Sequence, residues 1–449
     1  MTIFEIAGKI HYDSKENSYA LTQPTILGEI KVDKVLTIIL AGGAGERLQP
    51  LTIPRSKPAV PFGGKFRLID FPLTNCINSG MRHIYVLVQY RSWSLQRHIQ
   101  EGWGISGSRL GEYIYCIPAQ QKIGADWYRG TADAVRQNID LLRGKGFDHI
   151  LILSGDHVYK MNYVQMLAYH KKIKASLTVS AIKVRKEQAA GSLGVFEVDQ
   201  DLKVIGLEEK PLQPKSIPED PDHVLASMGI YVFEVNVLME ALRMAGEDFG
   251  KDIIPAMIGK KTEVFVYDYA ANNQIEDFVL QVEDGRRKKI LVERTRDSPY
   301  WRDVGSIDSY YESSMDLVSV DPLFNLYGEK WAFRTYERSL PPSKCIIGGS
   351  TLESMISDGC IVSGGLVQRS ILSPGVIVER NALVEDSVIF NDVIIEPGAK
   401  IKRAIIDKEA KIVAGASLGY DLEADKRRGC TVSEKGVVVV PREIELGPL

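Results

Sequence analysis

The sequence lacks the features that mark membrane, secreted and disulfide-rich proteins. It has no apolar run of membrane-spanning length, and its N-terminus has no basic segment followed by an apolar core. Its 449 residues include only five cysteines, which are scattered and form no C-x-x-C pair. We therefore expect a cytoplasmic protein with reduced thiols, no signal peptide and no membrane partner.

An excess of positive charge is also absent. The 55 lysines and arginines are balanced by 58 aspartates and glutamates, which gives a formal net charge of −3. This balance offers no electrostatic reason to expect a nucleic-acid partner. The length and the 45% hydrophobic content are ordinary for a globular chain of two or three domains.

The first two segments of the chain differ in pattern. Residues 1–33 have no clear periodicity and form an N-terminal extension to which we assign no role. In residues 34–320, short β-branched runs such as His83–Val88 and His149–Leu153 alternate with helical patterns such as Ser92–Gln100. This alternation predicts an α/β domain, Rossmann-like, with a mostly parallel sheet that is covered by helices.

A six-residue repeat follows a predicted linker over residues 321–345. Aliphatic residues recur at every sixth position in residues 346–449, are interrupted at Asp407 and resume at Val413. This period predicts a left-handed parallel β-helix in which each repeated side chain points into a narrow core, and such coils often form oligomer contacts. The repeated residues before the interruption are Ile371, Ile377, Leu383, Ile389, Ile395 and Ile401.

A glycine-rich loop follows the first predicted strand. The run Leu40-Ala-Gly-Gly-Ala-Gly-Glu-Arg-Leu48 comes directly after apolar Val35–Leu40, and Lys57 follows soon after. Glycines let backbone N–H groups approach an anion, and Arg47 and Lys57 add two cations, so the loop is a candidate site for a nucleoside triphosphate. The glycines fit neither G-x-G-x-x-G nor the P-loop pattern, and taken alone they are equally consistent with a tight turn.

The longer run from Leu40 to Val60 resembles the signature of the sugar-nucleotide pyrophosphorylases. Three further segments, Phe62–Phe71, Trp127–Ala134 and Ala226–Val232, resemble one family among them, the ADP-glucose pyrophosphorylases of bacteria. The resemblance covers about Val35 to Arg442. It implies transfer of adenylate from ATP to glucose 1-phosphate with release of pyrophosphate, a Mg²⁺-dependent in-line displacement that supplies glycogen synthesis.

The physical chemistry of that reaction agrees with the residues present. The attacking phosphate oxygen is ionised near neutral pH, so no general base is needed, and the sequence has no obvious Ser-His-Asp or Cys-His set. Repulsion between the two anionic reactants is the obstacle that must be overcome. We therefore expect catalysis by alignment and charge neutralisation, with the nucleophile and the leaving group in line.

The resemblance assigns roles to individual residues. Arg47 and Lys57 would hold the triphosphate, and Asp156 and Asp303 would bind Mg²⁺, an ion that prefers hard oxygen ligands. Without that context, Asp156 could simply cap a turn after a buried strand, and either cation could be a solvated surface charge. Sugar-phosphate contacts would come from Tyr128, Gly194, Glu209, Lys210 and Ser227, and nucleotide contacts from Leu40, Ala41, Gly42, Gly43, Gly130 and Thr131.

The family resemblance also implies regulation. Its members are usually homotetramers that bind sugar-phosphate or nucleotide effectors between the catalytic domain and the β-helix. Candidate anion contacts in this sequence are Arg55, Arg67 and Arg428. Arg428 ends a basic trio, and such trios most often form a solvated face.

Three other functions compete with this prediction. A related pyrophosphorylase that uses UTP, dTTP or another sugar phosphate would share the glycine loop but not the three narrower segments. An acyltransferase would need an imidazole base in the β-helix, and the last histidine of the chain is His223. A non-catalytic regulatory subunit would be expected to lack the charged residues that this sequence retains.

Overall fold

The computed structural model describes residues 31–104, 111–120, 127–142, 144–218, 220–283 and 285–448. Most of the predicted N-terminal extension, residues 1–33, lies outside the described residues. Within the described part of the chain, no helix combines the length and apolar character needed to cross a bilayer.

The first part of the chain folds into a sheet with smaller strand pairs around it. The strands are β1 (Val35–Ala41), β2 (Pro61–Phe62), β3 (Phe66–Arg67), β4 (His83–Val88), β5 (Tyr113–Pro118), β6 (His149–Ser154), β7 (Val158–Tyr159), β8 (Leu177–Arg185), β9 (Gly194–Val198), β10 (Val204–Glu209), β11 (His223–Glu234), β12 (Val264–Asp268), β13 (Asp277–Glu283), β14 (Arg286–Val292) and β15 (Trp301–Arg302).

Helices connect these strands. They are α1 (Asp70–Asn78), α2 (Trp93–Gly102), α3 (Thr131–Gln137), α4 (Tyr163–Ile173), α5 (Lys186–Ala189), α6 (Val235–Ala241), α7 (Ile254–Gly259), α8 (Tyr269–Asn272) and α9 (Ile307–Asp316). A π-helical turn, Phe249–Ile253, precedes α7, and single 3₁₀ turns occur at Glu46–Leu48 and Lys57–Ala59.

The main sheet is parallel at its centre and antiparallel around β11. Strands β6, β1, β4 and β5 are neighbours in that order, and all pair in parallel. β11 runs antiparallel to β6, β8 and β9, so the sheet as a whole is mixed. Because β1 and β6 are parallel neighbours, their carboxyl ends meet at one edge, where ligands of such sheets bind.

Both faces of the sheet are covered. On one face, α1, α2 and α4 bury side chains such as Leu73, Ile99 and Leu167 against the strands. On the other face, α3, α6 and α7 bury Val135, Leu238 and other apolar residues. The central strands are therefore apolar on both sides, which explains why β1 reads as a continuous apolar run rather than an alternating one.

The second part of the chain forms the β-helix. Its strands form three ladders that are parallel apart from the terminal pair of β30 with β31. They are β16 (Lys344–Ile346), β17 (Ser350–Leu352), β18 (Met355–Ile356), β19 (Ile361–Ser363), β20 (Leu366–Gln368), β21 (Ile371–Leu372), β22 (Ile377–Val378), β23 (Leu383–Glu385), β24 (Val388–Ile389), β25 (Ile394–Ile395), β26 (Lys400–Lys402), β27 (Ala404–Ile406), β28 (Lys411–Ile412), β29 (Ser417–Leu418), β30 (Thr431–Val432), β31 (Val438–Val440) and β32 (Glu445–Leu446), with α10 (Leu422–Arg427) inserted before β30.

The expectation that every sixth aliphatic residue points into the β-helix core is wrong in part. Ile389, Ile395 and Ile401 are in the core, but Ile377 and Leu383 are only partly buried, and their neighbours Val378 and Val384 take the inward positions. Paired residues of successive coils are 16 or 17 positions apart and not 18, as in Ile361–Ile377 and Ile377–Ile394, so the inward position shifts relative to a strict six-residue count. The series therefore breaks at Asp407 because Ile406 is the inward residue there.

An apolar contact holds the β-helix against the α/β part of the chain. Side chains of one β-helix face, including Ile371, Val388 and Ile405, join a cluster with residues such as Phe62 and Tyr310 of the first part. Regular structure in the described residues ends at Asp316 and resumes at Lys344. The predicted boundaries at residues 34, 321 and 346 stay predictions.

Candidate active site

A cavity of about 620 Å³ opens where β1 and β6 end. All of the residues that the sequence predicted to bind substrates or metal line this cavity. They are Leu40, Ala41, Gly42, Gly43, Arg47, Lys57, Tyr128, Gly130, Thr131, Asp156, Gly194, Glu209, Lys210, Ser227 and Asp303. Residues far apart in the chain are thus brought to one place, although their roles stay predictions.

The glycine-rich loop leaves β1 and forms one wall of the cavity. Gly45 has a φ of +67°, a left-handed conformation that glycine adopts without strain. A Cβ at this position would lie 2.9 Å from the Cβ of Lys57, so a side chain would displace the lysine. The Thr52 hydroxyl donates to the Gly45 carbonyl at 2.9 Å and holds the turn.

An ammonium between two carboxylates forms the charged centre of the cavity. Lys57 Nζ lies 3.0 Å from Asp156 Oδ2 and 2.9 Å from Asp303 Oδ1, and it also donates to the Asp303 carbonyl at 2.8 Å. The lysine side chain is only 8% exposed. Asp156 follows β6 and Asp303 follows β15, so the ion pairs join two separate segments to the loop after β1.

The charges in this cluster stabilise one another. Burial opposes the charged form of Lys57, but Asp156 and Asp303 outweigh it and raise the lysine pKa. Burial likewise opposes ionisation of both aspartates, while Lys57 and His157 hold their pKa values below the ordinary range. The site therefore contains two ionised carboxylates and one buried cation at neutral pH.

Arg47 lies at the rim of the same cluster. Its guanidinium is 3.8 Å from Asp303 Oδ2, and its side chain is 56% exposed. A Cβ at Gly305 would lie 3.1 Å from the Arg47 guanidinium and 2.7 Å from Asp303. Gly305 thus leaves the space in which this arginine can reach a ligand in the cavity.

Two neighbours hold the carboxylates in position. The Ser154 hydroxyl donates to Asp156 Oδ1. His157 Nε2 lies 3.5 Å from Asp156 and 3.4 Å from Asp303, and its ring packs edge-on against Trp301. His157 therefore faces both carboxylates.

The two carboxylates also fit a divalent metal ion. Asp156, His157 and Asp303 each offer a ligand atom, and these atoms lie within 4.8 Å of one another. Ionised carboxylate oxygens are the donors that hard divalent cations prefer. Their low pKa values and the Lys57 cation between them indicate a position where positive charge is favoured.

A second group of charged residues lines another part of the cavity. Glu209 ends β10, and a Cβ at Gly194 would lie 2.9 Å from the Glu209 carboxylate, so this glycine makes room for the acid. Burial, aided by Asp248, raises the pKa of Glu209. Lys210 follows in a left-handed conformation. Its side chain is 48% exposed, and its ammonium lies 3.8 Å from Glu209 Oε1.

The wall around α3 is fixed by hydrogen bonds. Gln89 accepts from the Tyr128 amide at 2.6 Å and donates to its carbonyl at 3.2 Å. The Thr131 hydroxyl donates to Asp248 at 2.9 Å and accepts from the Phe249 amide. A Cβ at Gly130 would lie 2.3 Å from the Glu247 carbonyl, so glycine is required for this close packing.

The three candidate effector residues lie in different surroundings. Arg67 lines a second cavity of about 370 Å³ between the catalytic domain, the linker and the β-helix. Arg55 does not line it and is buried in an ion pair with Asp407. Arg428 donates to the carbonyls of Gly447 and Ser417 within the β-helix. The structure therefore places these three arginines in three different settings, and their roles as effector contacts stay predictions.

Several residues of these sites belong to no sequence motif. Gln89 and Asp248 fix the walls of the cavity through hydrogen bonds to Tyr128 and Thr131. These partners are distant in the sequence and meet only in the folded chain. Lys408 lines the second cavity, and burial together with Arg67 and Arg55 lowers its pKa to about 7. One signal did exist for Lys408, because it follows the break of the hexad series at Asp407.

Comparison with known families agrees with this geometry. Residues 36–320 match the family described as Nucleotidyl transferase, and residues 341–440 match the family described as GlmU-like, C-terminal hexapeptide. The first match covers the sheet and the cavity at its edge, and the second covers the β-helix.

Relatives match almost the whole chain. A glucose-1-phosphate adenylyltransferase of Alteromonas mediterranea is 46% identical over 91% of this chain and 92% of its own length. Enzymes of the same name from Shewanella baltica and Methylobacillus flagellatus are each 45% identical, over 91% and 90% of this chain and 94% and 92% of theirs.

The chain belongs to the nucleotidyl transferase family, whose members generally use a divalent metal ion. Within that family it belongs with the glucose-1-phosphate adenylyltransferases.

Proposed function

We propose that this chain transfers adenylate from ATP to glucose 1-phosphate, giving ADP-glucose and pyrophosphate. The observation that carries the proposal is a single cavity that contains the glycine loop, the Lys57–Asp156–Asp303 cluster and the Glu209–Lys210 pair. A nucleoside triphosphate and a sugar phosphate need two separate sets of charged groups that face each other. The choice of adenine and glucose is supported by the activity named for the relatives.

The chemical task is to bring two anions together. A phosphate oxygen of glucose 1-phosphate attacks the α-phosphorus of ATP, the bond from that phosphorus to the bridging oxygen breaks, and pyrophosphate leaves in line. Arg47 and Lys57 bear positive charge on the triphosphate side and lower the repulsion between the reactants. The buried position of Lys57 strengthens its effect, because charges interact more strongly away from water.

We propose that Asp156 and Asp303 hold Mg²⁺. When bound there, the ion supplies positive charge that stabilises the phosphate oxygens and the leaving group. The carboxylates contribute by remaining ionised, and Ser154 contributes by orienting Asp156 through its hydrogen bond. Lys57 keeps the two acids close together through its contacts with both.

The opposite wall suits the sugar phosphate. Lys210 carries a partly exposed ammonium that can pair with the phosphate monoester, and Glu209 can accept hydrogen bonds from sugar hydroxyls. Ser227, Tyr128 and Gly194 complete this wall. The backbone of Leu40, Ala41, Gly42 and Gly43, with Gly130 and Thr131, forms the nucleotide wall.

A pyrophosphate-release assay tests the reaction. Purified protein is supplied with Mg²⁺, and several nucleoside triphosphates are crossed with several sugar 1-phosphates. We expect turnover to be highest for ATP with glucose 1-phosphate and to be lost in Asp156→Asn. Asp201→Asn, which changes an exposed aspartate in a turn outside the cavity, is the matched control and keeps wild-type turnover.

Two results would contradict the proposal. One is preferred use of a different nucleotide or sugar phosphate, and the other is full activity of Asp156→Asn. The assay is repeated with fructose 6-phosphate, fructose 1,6-bisphosphate, pyruvate and AMP present, so that dependence on an activator is not mistaken for inactivity.

We further propose that phosphorylated effectors bind in the second cavity. Arg67 and Lys408 line it, and burial, together with the positive charges of Arg67 and Arg55, holds the pKa of the Lys408 ammonium down to about 7. A bound anion would relieve that strain between like charges. Arg67→Ala is therefore expected to weaken effector binding while leaving turnover without effector near the wild-type level.

We also propose that the protein is a homotetramer and is located in the cytoplasm. The five cysteines are all free, which suits a reducing compartment. The coil of the β-helix has terminal turns and flat faces that a partner copy can cover. Light scattering of the purified protein tests the assembly, and a mass other than four chains would contradict it.

A further inference from the structure

A second cluster of metal-binding side chains lies outside the substrate cavity, at the opposite edge of the sheet. His149 begins β6, Glu234 ends β11, and His170 lies on α4. Ligand atoms of these three side chains lie within 4.8 Å of one another. We propose that His149, His170 and Glu234 bind a divalent transition-metal ion such as Zn²⁺.

The fold itself brings the three residues together. Glu234 and His149 are direct partners in the antiparallel pairing of β11 with β6, so their side chains extend from the same face of the sheet. α4 packs across that end of the sheet. Its His170 ring lies 5.4 Å from the His149 ring, at an angle of 83°.

His170 has one ring nitrogen that protein atoms do not use. The residue is 1% exposed, and its Nδ1 is hydrogen-bonded to the Thr178 hydroxyl at 2.8 Å. Its Nε2 is buried and has no hydrogen-bond partner among the described residues. Buried polar atoms are rarely left in this state. A metal ion would use a lone pair on Nε2, and His170 Nδ1–H would then donate to the Thr178 hydroxyl, which holds the ring in place.

The imidazoles are in the protonation state that metal binding needs. Burial, with a smaller effect of His149, lowers the pKa of His170 to about 3. Burial and Lys171 also lower the pKa of His149, against the opposing charges of Glu234 and Asp148. Both rings are therefore neutral at pH 7 and offer lone pairs without first losing a proton.

The donor set points to a transition metal rather than Mg²⁺ or Ca²⁺. Two imidazole nitrogens and one carboxylate form a set that zinc uses in proteins, whereas Mg²⁺ and Ca²⁺ take oxygen ligands. Glu234 is exposed, so its flexible side chain can close on an ion that the two histidines hold. Water would fill the fourth position.

Binding at this site would join β6, β11 and α4 at the end of the sheet that is remote from the substrates. We therefore expect the ion to stabilise the folded chain and not to take part in the transfer reaction. A ligand that binds only the folded state raises the unfolding temperature. The inference does not depend on the proposed function.

The test measures zinc binding directly. The parent protein is the full chain with Asp303→Asn, which removes one carboxylate from the cluster in the substrate cavity. This parent is titrated with Zn²⁺ in a competition assay with a chromogenic chelator. We expect one ion per chain and a rise in unfolding temperature with Zn²⁺. Glu234→Gln and His170→Gln should each weaken binding roughly 100-fold or more. Glu240→Gln, an exposed glutamate on α6, is the matched control and should bind like its parent.

Two outcomes would overturn the proposal. Equal zinc affinity in the parent, Glu234→Gln and His170→Gln would place any bound ion elsewhere. Anomalous scattering from zinc-soaked crystals without a peak between His149, His170 and Glu234 would do the same. Should His170→Gln fail to fold, Glu234→Gln still decides the matter, because it changes only an exposed side chain.

Discussion

The guanidinium of Arg55 donates to both carboxylate oxygens of Asp407, at 3.0 and 2.9 Å. The contact joins the catalytic domain to the β-helix, and the two side chains are 3% and 1% exposed. Arg55 also donates to the Leu51 carbonyl, so it fixes the same loop that carries Lys57 into the cavity. Asp407, the residue at which the six-residue repeat is interrupted, thus helps through Arg55 to position Lys57 in the active site.

We expect Arg55→Leu to destabilise the chain strongly. The substitution leaves the Asp407 carboxylate buried without its partner, and loss of one member of a buried pair costs about 3–5 kcal/mol. Chemical denaturation monitored by circular dichroism measures the change. The loop that bears Lys57 loses its anchor to the β-helix, so turnover should fall as well.

Two controls accompany that measurement. Arg369→Leu removes a similar bidentate pair with Asp386 that is partly exposed, and it should cost only ~1 kcal/mol or less. The double variant Arg55→Leu/Asp407→Leu removes both buried charges and should recover much of the lost stability. Equal losses in Arg55→Leu and Arg369→Leu would contradict the expected role of burial.

We expect Arg47→Ala to lower kcat by roughly 10²–10³-fold, the scale for losing one group that stabilises the transition state. The guanidinium is at the rim of the Asp303 cluster and largely exposed, so the fold should not suffer. Steady-state pyrophosphate release measures the effect. Arg302→Ala, next to Asp303 but outside the cavity lining, is the control. Near-normal turnover of Arg47→Ala would remove this residue from the mechanism.

Much of the catalytic fold could be predicted because its signals are local. The continuous apolar runs of β1 and β6 predict buried strands, and Asp156 comes just after one of them. The antiparallel position of β11 could not be predicted, since strand direction depends on long-range pairing rather than on composition. The sequence also could not show which residue of a pair such as Ile377 and Val378 points into the β-helix core, because both residues are aliphatic.

Which residues belong to the active site could partly be predicted from motifs, but their contacts with one another depend on long-range packing and could not. Lys57, Asp156 and Asp303 lie in recognisable motifs, but their mutual contacts appear only when β1, β6 and β15 are assembled. Arg55 carries the same charge as Arg67, and sequence alone could not tell that Asp407 neutralises one of them. The His149–His170–Glu234 cluster has no motif at all, because its spacing comes from the packing of α4 on the sheet.

We expect Lys210→Ala to raise KM for glucose 1-phosphate far more than KM for ATP. Lys210 lines the cavity beside Glu209, and we have proposed that this pair binds the sugar phosphate, so its charge should act on that substrate. Initial rates measured with each substrate varied in turn give the two constants. Lys215→Ala, an exposed lysine paired with Glu197, should leave both unchanged. Equal rises in the two KM values would contradict the assignment.

We expect effector binding to weaken as the pH rises through 7. Burial and the nearby cations Arg67, Arg55 and Arg442 lower the pKa of Lys408 to about 7, and Asp407 opposes them. A bound anion favours the protonated lysine and raises its pKa, so binding takes up a proton. Affinity is therefore greatest below pH 7 and falls by at most about tenfold per pH unit above it.

Calorimetric titration with fructose 1,6-bisphosphate between pH 6 and pH 8 measures this dependence. Phosphate esters themselves titrate near pH 6, so the comparison with Lys408→Met carries the test, because the variant loses the titration of the lysine and keeps that of the ligand. Lys402→Met, which removes an exposed lysine of the β-helix, should behave like the wild type. If Lys408→Met and the wild type lose affinity in parallel as the pH rises, the anion does not bind against the Lys408 ammonium.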